Sequence, residues 1–359
     1  MKKKNRVALI ITVILLMVAT GLILTNSYTT LRKDVSDFSV QDTALITKIF
    51  IADKLDNQVT LERQDDGSWA VNEKYTAQQA KINSFLKTLQ ELRVRSPVPL
   101  AARNNVITRM SAIARKIEIY QVVPRINLFN VIQLFPREKN VKTYYIGDVT
   151  ADNQGTFMLM EGADEPYIVH ITGFRGFVAT RFSAIPSDWR DYTVFRTRLN
   201  QIGSVRVEFP QEPDQSYLVT VHDRQRITMM SLQDNRTLDH FDTLRVMSFL
   251  TAFEDIRFES LLETLIEPEF IDSVITSTPQ TIITLTDKTG VENEVLIFRK
   301  RGFAPLYMED GAALEPVDLD RAFALVNNRE DFVLIQYYVF DRVTRRLDYL
   351  LGGDLPPLL

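Results

Sequence analysis

Apolar and polar residues alternate along much of the chain beyond residue 35, with the period of two that is typical of β-strands. The clearest runs in the first half are ITKIFIA (Ile46–Ala52), QVTLERQ (Gln58–Gln64) and SWAVN (Ser68–Asn72). A helix is predicted next, because Ile82, Phe85, Leu86 and Leu89 are spaced i, i+3, i+4 and i+7 and so share one helical face. Thr76 and Gln79 have the spacing of a capping box, which predicts the start of this helix.

The same pattern occurs a second time. SFLKTLQELRVRS (Ser84–Ser96) aligns without a gap on SFLTAFEDIRFES (Ser248–Ser260), and strand-like runs flank both segments. We expect GTFMLME (Gly155–Glu161) to correspond to FAPLYMED (Phe303–Asp310), and SDWRDYTVF (Ser187–Phe195) to NREDFVLIQ (Asn328–Gln336). The sequence therefore predicts an α+β fold of two duplicated units, residues 36–195 and 196–359. Each would be an antiparallel sheet with packed helices.

The N-terminal segment Val7–Leu24 is apolar and carries no charge over 18 residues. At about 1.5 Å per residue, such a helix just crosses a hydrocarbon core of about 30 Å. We expect a single-pass transmembrane helix over residues 7–24, preceded by a cytoplasmic tail (residues 1–6) and followed by a linker (residues 25–35). The basic residues before it predict an inner-membrane protein with its N-terminus inside and its bulk in the periplasm. A cleaved signal peptide is the alternative, but its apolar region is usually shorter and ends in small residues.

Charge and cysteine content exclude several classes of function. The chain has no cysteine, so it forms no disulfide and no thiolate metal site. Acidic residues outnumber basic ones, 46 to 42, and six of the basic residues lie within the first 33 positions. The remainder is therefore acidic, which argues against a nucleic-acid partner, since phosphate binding needs a basic face.

Residues that could carry catalysis are scattered. The three histidines have no metal-ligand spacing, no G-x-S-x-G elbow is present, and the segment Gly173–Gly176 is expected to form a turn. Two groups of acids stand next to glycine and proline, where carboxylates commonly lie in solvated turns: Asp65 with Asp66, and Glu161, Asp164 and Glu165. We therefore predict no catalytic, cofactor-binding or metal-ligating residue, no cofactor, and no enzymatic activity.

Trp189, Arg190 and Asp191 form the one segment that suggests a binding site. A tryptophan flanked by charges can act as the anchor of a protein interface. Alternatively, Trp189 fills the junction between the two units while its charged neighbours bind the backbone. The resemblance of Arg329–Phe332 to this segment favours that structural role.

The segments ITKIFIADKLDNQVTLERQDDGSWAVN, TYYIGDVTADNQGTFMLMEG and GFRGFVATRF, with SDWRDYTVF after them, resemble a bacterial family that carries a domain of unknown function. The resemblance implies single-pass envelope proteins of Bacteroidetes-like bacteria, related to gliding-type ABC-transporter auxiliary components. One departure is QVVPRINLFNVIQLFPREKN (Gln121–Asn140), where a short hairpin is expected. This segment would form an extended loop or an additional small element.

Together these features predict a non-enzymatic, membrane-anchored envelope scaffold or accessory protein. Its partners would be the membrane, through the N-terminal helix, and another envelope protein, bound at the inter-unit junction or at an exposed sheet edge. One alternative is a protein that binds or hydrolyses cell-envelope glycan or lipid with acidic residues at the inter-unit cleft. Another is an ABC-transporter accessory subunit, which the resemblance alone implies.

Overall fold

The computed structural model describes residues 11–17, 37–128, 132–222, 226–262, 265–302, 306–307, 313–314 and 316–354. The chain divides into two compact units, Met1–Asp191 and Tyr192–Leu359. Each unit is built on one nine-stranded antiparallel sheet.

The sheet of the first unit has the strand order β4-β3-β2-β1-β6-β7-β8-β9-β5. Its strands are β1 (Ile46–Ala52), β2 (Gln58–Arg63), β3 (Trp69–Val71), β4 (Tyr75–Thr76), β5 (Leu92–Pro97), β6 (Arg115–Leu128), β7 (Ile132–Val149), β8 (Thr156–Met160) and β9 (Tyr167–Ile171). Two helices accompany them, α1 (Gln79–Glu91) and α2 (Leu100–Ile113), with 3-10 turns at Thr43–Leu45, Ala179–Arg181 and Pro186–Trp189.

Alternation along the strands decides which face of this sheet forms the main core. In β1, Ile49 and Ile51 are fully buried, and their register partners Leu61 and Val59 on β2 are buried with them. Helix α1 covers this face and buries its apolar stripe, of which Ile82, Phe85 and Leu89 are at most 2% exposed. The predicted helix is therefore confirmed, although Thr76 lies in β4 and the N-cap residue is Gln78, whose side chain makes no capping hydrogen bond.

The opposite face of the first sheet is covered in part by α2. Val106 and Met110 of this helix form a small second core with Tyr145 and Phe157 of the sheet. Gly147 lies beneath the helix, and a Cβ atom there would come within 2.6 Å of the Met110 Cγ. Helices thus pack on both faces of this sheet.

The second unit repeats the strand order of the first position by position: β14-β13-β12-β11-β17-β18-β21-β22-β16. Its strands are β10 (Thr193–Phe195), β11 (Ile202–Glu208), β12 (Tyr217–Val221), β13 (Ile227–Ser231), β14 (Thr237–Leu238), β15 (Ile256–Arg257), β16 (Ser260–Leu261), β17 (Thr281–Asp287), β18 (Glu292–Arg301), β19 (Leu306–Tyr307), β20 (Ala313–Leu314), β21 (Val317–Val326) and β22 (Asp331–Gln336). Strands β10 and β15 form a separate pair, as do β19 and β20.

Helices of the second unit are α3 (Thr243–Thr251), α4 (Pro268–Ile275), α5 (Tyr337–Phe340) and α6 (Leu347–Leu350), with 3-10 turns at Pro213–Gln215 and Ala252–Glu254. Helix α3 buries Val246, Phe249 and Leu250 in the main core, whereas Leu244 is 83% exposed. The helix begins with Asp242 as its N-cap, whose carboxylate accepts hydrogen bonds from the backbone N–H groups of the second and third helical residues. Helix α4 packs on the other face, beside Phe298, Phe323 and Phe332.

The predicted fold class is corrected by these observations. The protein is mostly β, with two large antiparallel sheets; among the described residues, α1 and α2 have 13 and 14 residues, and α3 and α4 have nine and eight. An α+β class overestimates the helices because the sequence contains many two- to five-residue strands that are too short to show alternation.

The structure does not support the transmembrane helix predicted over Val7–Leu24. Only residues 11–17 of that segment are described, and they are helical. Among the residues that the structure describes, no helix is both long and apolar enough to cross a membrane. The predicted tail (residues 1–6) and linker (residues 25–35) lie outside the described residues.

Two of the expected repeat correspondences are wrong. In the strand order, β21 occupies the position of β8, and β22 occupies the position of β9. Residues 306–307 belong instead to the separate β19–β20 pair, so FAPLYMED is not the counterpart of GTFMLME. Asp331–Gln336 is β22 and corresponds to Tyr167–Ile171, not to the segment around Trp189.

Candidate functional site

Trp189 lies in the core of the first unit, at the end of the 3-10 turn Pro186–Trp189. Its side chain is fully buried, and its ring meets the ring of Phe85 edge-on at 4.8 Å between centroids. The indole Nε1 donates to the Ser183 carbonyl oxygen at 2.9 Å. The Trp189 carbonyl accepts from the N–H of Gln78, the residue that precedes α1. The ring thus holds α1 on the sheet and presents no surface to solvent.

Arg190 and Asp191 continue from Trp189 along the edge of β4. Arg190 forms an isolated antiparallel bridge with Ala77, and the Asp191 N–H donates to the Thr76 carbonyl at 2.8 Å. Only 7% of Arg190 is exposed, and its guanidinium lies 3.5 Å from the centroid of the Tyr75 ring. These contacts give all three residues a structural role within the first unit. A role for them in binding a partner or at an inter-unit junction stays a prediction.

The second unit uses a different residue at the place of Trp189, which the sequence comparison missed. The N–H of Asp242, the N-cap of α3, donates to the Leu350 carbonyl at 2.8 Å, as the N–H of Gln78 does to the Trp189 carbonyl. Three residues further on, Lys81 Nζ donates to the Asp188 carbonyl, and Arg245 Nη1 to the Tyr349 carbonyl. Leu350 is therefore the counterpart of Trp189. Sequence identity could not reveal this, since only the backbone contacts are shared.

The acidic groups and the histidines do not converge. Asp65 and Asp66 lie in an exposed turn, where hydrogen bonds from Ser68 lower the pKa of Asp66. Glu165 forms an ion pair with Arg103 at 2.6 Å. The histidines lie on separate elements: His170 in β9, His222 after β12 and His240 before α3. Within the described part of the chain, no three His, Cys, Asp or Glu side chains are placed to hold a metal ion.

A long hairpin is the feature that distinguishes the first unit most clearly from the second. Strand β6 pairs with β1 only as far as the Gln121–Ile46 pair, but it continues to pair with β7 up to Leu128 and Ile132. On its other side, β7 pairs with β8 only between Tyr144 and Val149. We call residues 122–128 and 132–138 the hairpin arm. Along the arm, neither strand has a second strand beside it among the described residues.

The base of the arm is tied to the sheet. Glu138 accepts a hydrogen bond of 2.6 Å from the Thr47 hydroxyl and forms an ion pair of 3.0 Å with Lys48, both on β1. The Thr47 hydrogen bond and the Lys48 ammonium lower the pKa of Glu138, against the opposing effect of burial. These two contacts fix the position of the arm at the point where it leaves the sheet.

In the second unit the equivalent hairpin is short. Strands β17 and β18 pair up to Thr286 and Glu292, and a turn at residues 287–291 joins them. The Asp287 carboxylate accepts from the N–H groups of Thr289 and Val291 and closes this turn. The sheet therefore does not require the arm. The departure noted over Gln121–Asn140 is this arm, an extended hairpin in place of the expected short one.

Comparison with known proteins places the chain in a family without assigning an activity. No curated protein and no solved structure matches it. A family model does match, over residues 69–279, a stretch that begins in the first unit and ends in the second. The match covers more than half of the chain, and the protein belongs to the family described as domain of unknown function DUF4340.

Proposed function

We propose that this protein is a non-enzymatic accessory protein that binds another protein by strand pairing at the hairpin arm. The observation that carries the proposal is the arm itself, whose two strands extend beyond their pairing with β1 and β8 and have no other strand beside them among the described residues. A two-stranded ribbon alone is only marginally stable in water. Its unpaired N–H and C=O groups are a template for a further strand.

Two prolines determine which backbone groups the arm offers. Pro124 and Pro136 are register partners, and proline has no N–H, so this pair occupies a position without hydrogen bonds between the two strands. Such positions alternate along an antiparallel ladder. The Ile126–Leu134 and Leu128–Ile132 pairs are then of the same kind, and their N–H groups point to the outer edges. The prolines leave the outer edges at the base of the arm without an N–H donor, so the partner strand pairs with the distal part of the arm.

The proposed setting is the bacterial cell envelope, and the proposed partner is a component of a gliding-type ABC-transporter assembly. The family resemblance supports this choice of partner, and the arm supports the mode of binding. The hydrolase alternative has less support, because Glu165 of the Glu161–Glu165 acidic group is paired with Arg103 and the acids of the Asp65–Asp66 turn face solvent.

Site-specific photo-crosslinking in cells tests the proposal. A photoreactive residue at Val122, which is 38% exposed at the start of the arm, is expected to give a discrete adduct with one protein. The matched control is Val291, which is 64% exposed in the short hairpin of the second unit and should give none. Replacing residues 122–138 by the sequence of residues 287–291 should abolish the adduct formed from a probe at Lys139 while leaving the melting temperature within a few degrees.

Proline substitutions identify the edge that is used. Ile126→Pro removes an outward N–H from the β6 edge and Leu134→Pro from the β7 edge, while the ladder between the strands keeps its hydrogen bonds. Loss of one main-chain hydrogen bond costs about 1 kcal/mol, so the variant on the bound edge should bind about fivefold more weakly. Unchanged binding of both variants, or equal crosslinking from Val291, would contradict strand pairing at the arm.

A further inference from the structure

A small groove opens beside α3 in the second unit. Its volume is about 230 Å³, and its polar lining comes from Arg245, Ser248, Thr251, Arg342, Arg345 and Tyr349. No acidic residue lines it. Three arginines therefore converge on a concave surface without a carboxylate among them, although the chain as a whole is acidic.

The three arginines are not equivalent. Arg245 is held in place: its Nη1 donates to the Tyr349 carbonyl at 2.9 Å, and its Nε lies 3.4 Å from the Asp242 carboxylate. Its guanidinium also lies 4.5 Å from the centroid of the Tyr349 ring. Because Arg245 repeats the contact that Lys81 makes in the first unit, its role is structural.

Arg342 and Arg345 have no such role. The Arg345 guanidinium lies 5.0 Å from the centroid of the same Tyr349 ring. Among the described residues, Arg342 donates only to the Val339 carbonyl, at 3.4 Å. Neither forms an ion pair with any residue that the structure describes. Asp341 is the acid that interacts with Arg345: burial raises its pKa, and the arginine opposes that rise.

The equivalent place in the first unit carries a different set of charged side chains. There the counterpart of Tyr349 is Asp188, whose carboxylate accepts a hydrogen bond from the Ser183 hydroxyl. Lys81 packs over the Trp189 ring, 5.3 Å from its centroid, and binds the Asp188 carbonyl. The first unit also has an arginine at this place: Arg181 Nη1 donates at 2.8 Å to the hydroxyl of Thr88, which aligns with the groove residue Ala252. The second unit has Tyr349 in place of Asp188, and two arginines, Arg342 and Arg345, line its groove.

We propose that the groove binds a single oxyanion, a phosphate or carboxylate group, between Arg342 and Arg345. A guanidinium presents a planar fork of N–H donors that matches both groups. The Ser248 hydroxyl lines the groove and donates to no group among the described residues, so it supplies a further donor. The Tyr349 ring, whose centroid lies 5.0 Å from the Arg345 guanidinium, keeps Arg345 oriented. This site is independent of the hairpin arm.

Titration of the full chain with inorganic phosphate and with acetate tests the proposal, followed by NMR of ¹⁵N-labelled arginine side chains. Saturable shifts of the Arg342 and Arg345 Nε–Hε signals with one anion are expected, while chloride at equal ionic strength gives none. Saturation by phosphate alone assigns a phosphate site, and saturation by acetate alone a carboxylate site. The variants Arg345→Gln and Arg342→Gln should each weaken binding at least tenfold.

Arg299→Gln is the matched control. Arg299 lies in the same unit, is exposed and forms no ion pair with the described residues, but it is outside the groove. Its replacement should leave binding unchanged. Thermal unfolding shows whether each variant folds, and Arg342 is the safer site because it is exposed. Linear shifts that match those of chloride, or an equal loss in Arg299→Gln, would overturn the proposal.

Discussion

Replacing Trp189 by alanine should destabilise the first unit strongly. The side chain is fully buried, and truncating a buried tryptophan typically costs 3–5 kcal/mol through lost burial and the cavity left behind. The edge-on contact with Phe85 and the hydrogen bond from Nε1 to the Ser183 carbonyl are lost as well. We expect a loss of about 4 kcal/mol in the free energy of unfolding.

Trp189→Phe separates the components of this loss. Phenylalanine keeps a ring beside Phe85 but removes the indole N–H and part of the volume. A loss of about 1–2 kcal/mol is expected, since one hydrogen bond contributes about 1 kcal/mol. The matched control is Leu55→Ala: Leu55 is a large apolar residue of the same unit, but it is 82% exposed and should lose less than about 0.5 kcal/mol.

Urea unfolding followed by tryptophan fluorescence measures these values for the first unit selectively. The chain has two tryptophans, Trp69 and Trp189, and both lie in that unit. Trp69 remains as the reporter in each variant and is itself buried. If Trp189→Ala lost less than 1 kcal/mol, the residue would not be holding α1 on the sheet, and the interface role suggested by its sequence would gain weight.

Three further predictions concern single groups. The Tyr144 hydroxyl is buried with no hydrogen-bond partner among the described residues, and burial raises its pKa, so Tyr144→Phe should raise the free energy of unfolding by about 1 kcal/mol in urea; a decrease would show that the hydroxyl is satisfied. Asp242→Ala should lower the free energy of unfolding by about 1 kcal/mol and speed hydrogen exchange in α3. Gln78→Ala, at the equivalent position before α1 but without a side-chain cap, should change neither the stability nor the exchange in α1. Hydrogen bonds from Thr150 and from Arg95 lower the pKa of Asp152 to about 2, so its contribution to stability is complete above its ordinary pKa of 3.8 and is lost as the pH falls from there through 2. An NMR titration of the Asp152 carboxyl should show this, with a higher pKa in Thr150→Val; identical titrations would contradict the assigned cause.

Sequence patterns predicted the antiparallel sheets and the first core helix. In β1, β2 and α1 the regularly spaced apolar residues are the ones that the structure buries, so the pattern shows the buried face directly. Sequence patterns predicted the second core helix less well. In this helix Leu244 is exposed whereas Val246 is fully buried, so its apolar residues do not mark one face cleanly. The helix has only nine residues and begins at an Asp242 cap, so a stripe has little length in which to appear.

Correspondences between the units beyond the aligned helix could not be read from apolar runs alone. The run in Asp331–Gln336 resembles several strands, and only its pairing with β21 and β16 identifies it as the counterpart of β9. The hairpin arm could not be predicted from the sequence, for a different reason. Proline is rare inside strands, so two prolines argue against a strand in this segment. In the structure Pro124 and Pro136 are register partners, at a position where neither needs an N–H for a hydrogen bond between the strands.

The pairing of β1 with β6 has a consequence for biosynthesis. Strands β1 to β4 are made first, but the inner edge of β1 stays bare until β6 emerges, because Ile49 pairs with Ile119. The same delay recurs between β11 and β17, where Val205 pairs with Leu285. Such distant pairings slow folding and leave a nascent edge open to aggregation. A fragment cut at the family limits, residues 69–279, would contain β6 without β1 and β11 without β17. Each sheet of this fragment would lack one strand of its central pair. A fragment for expression should therefore be cut at the boundary between the two units.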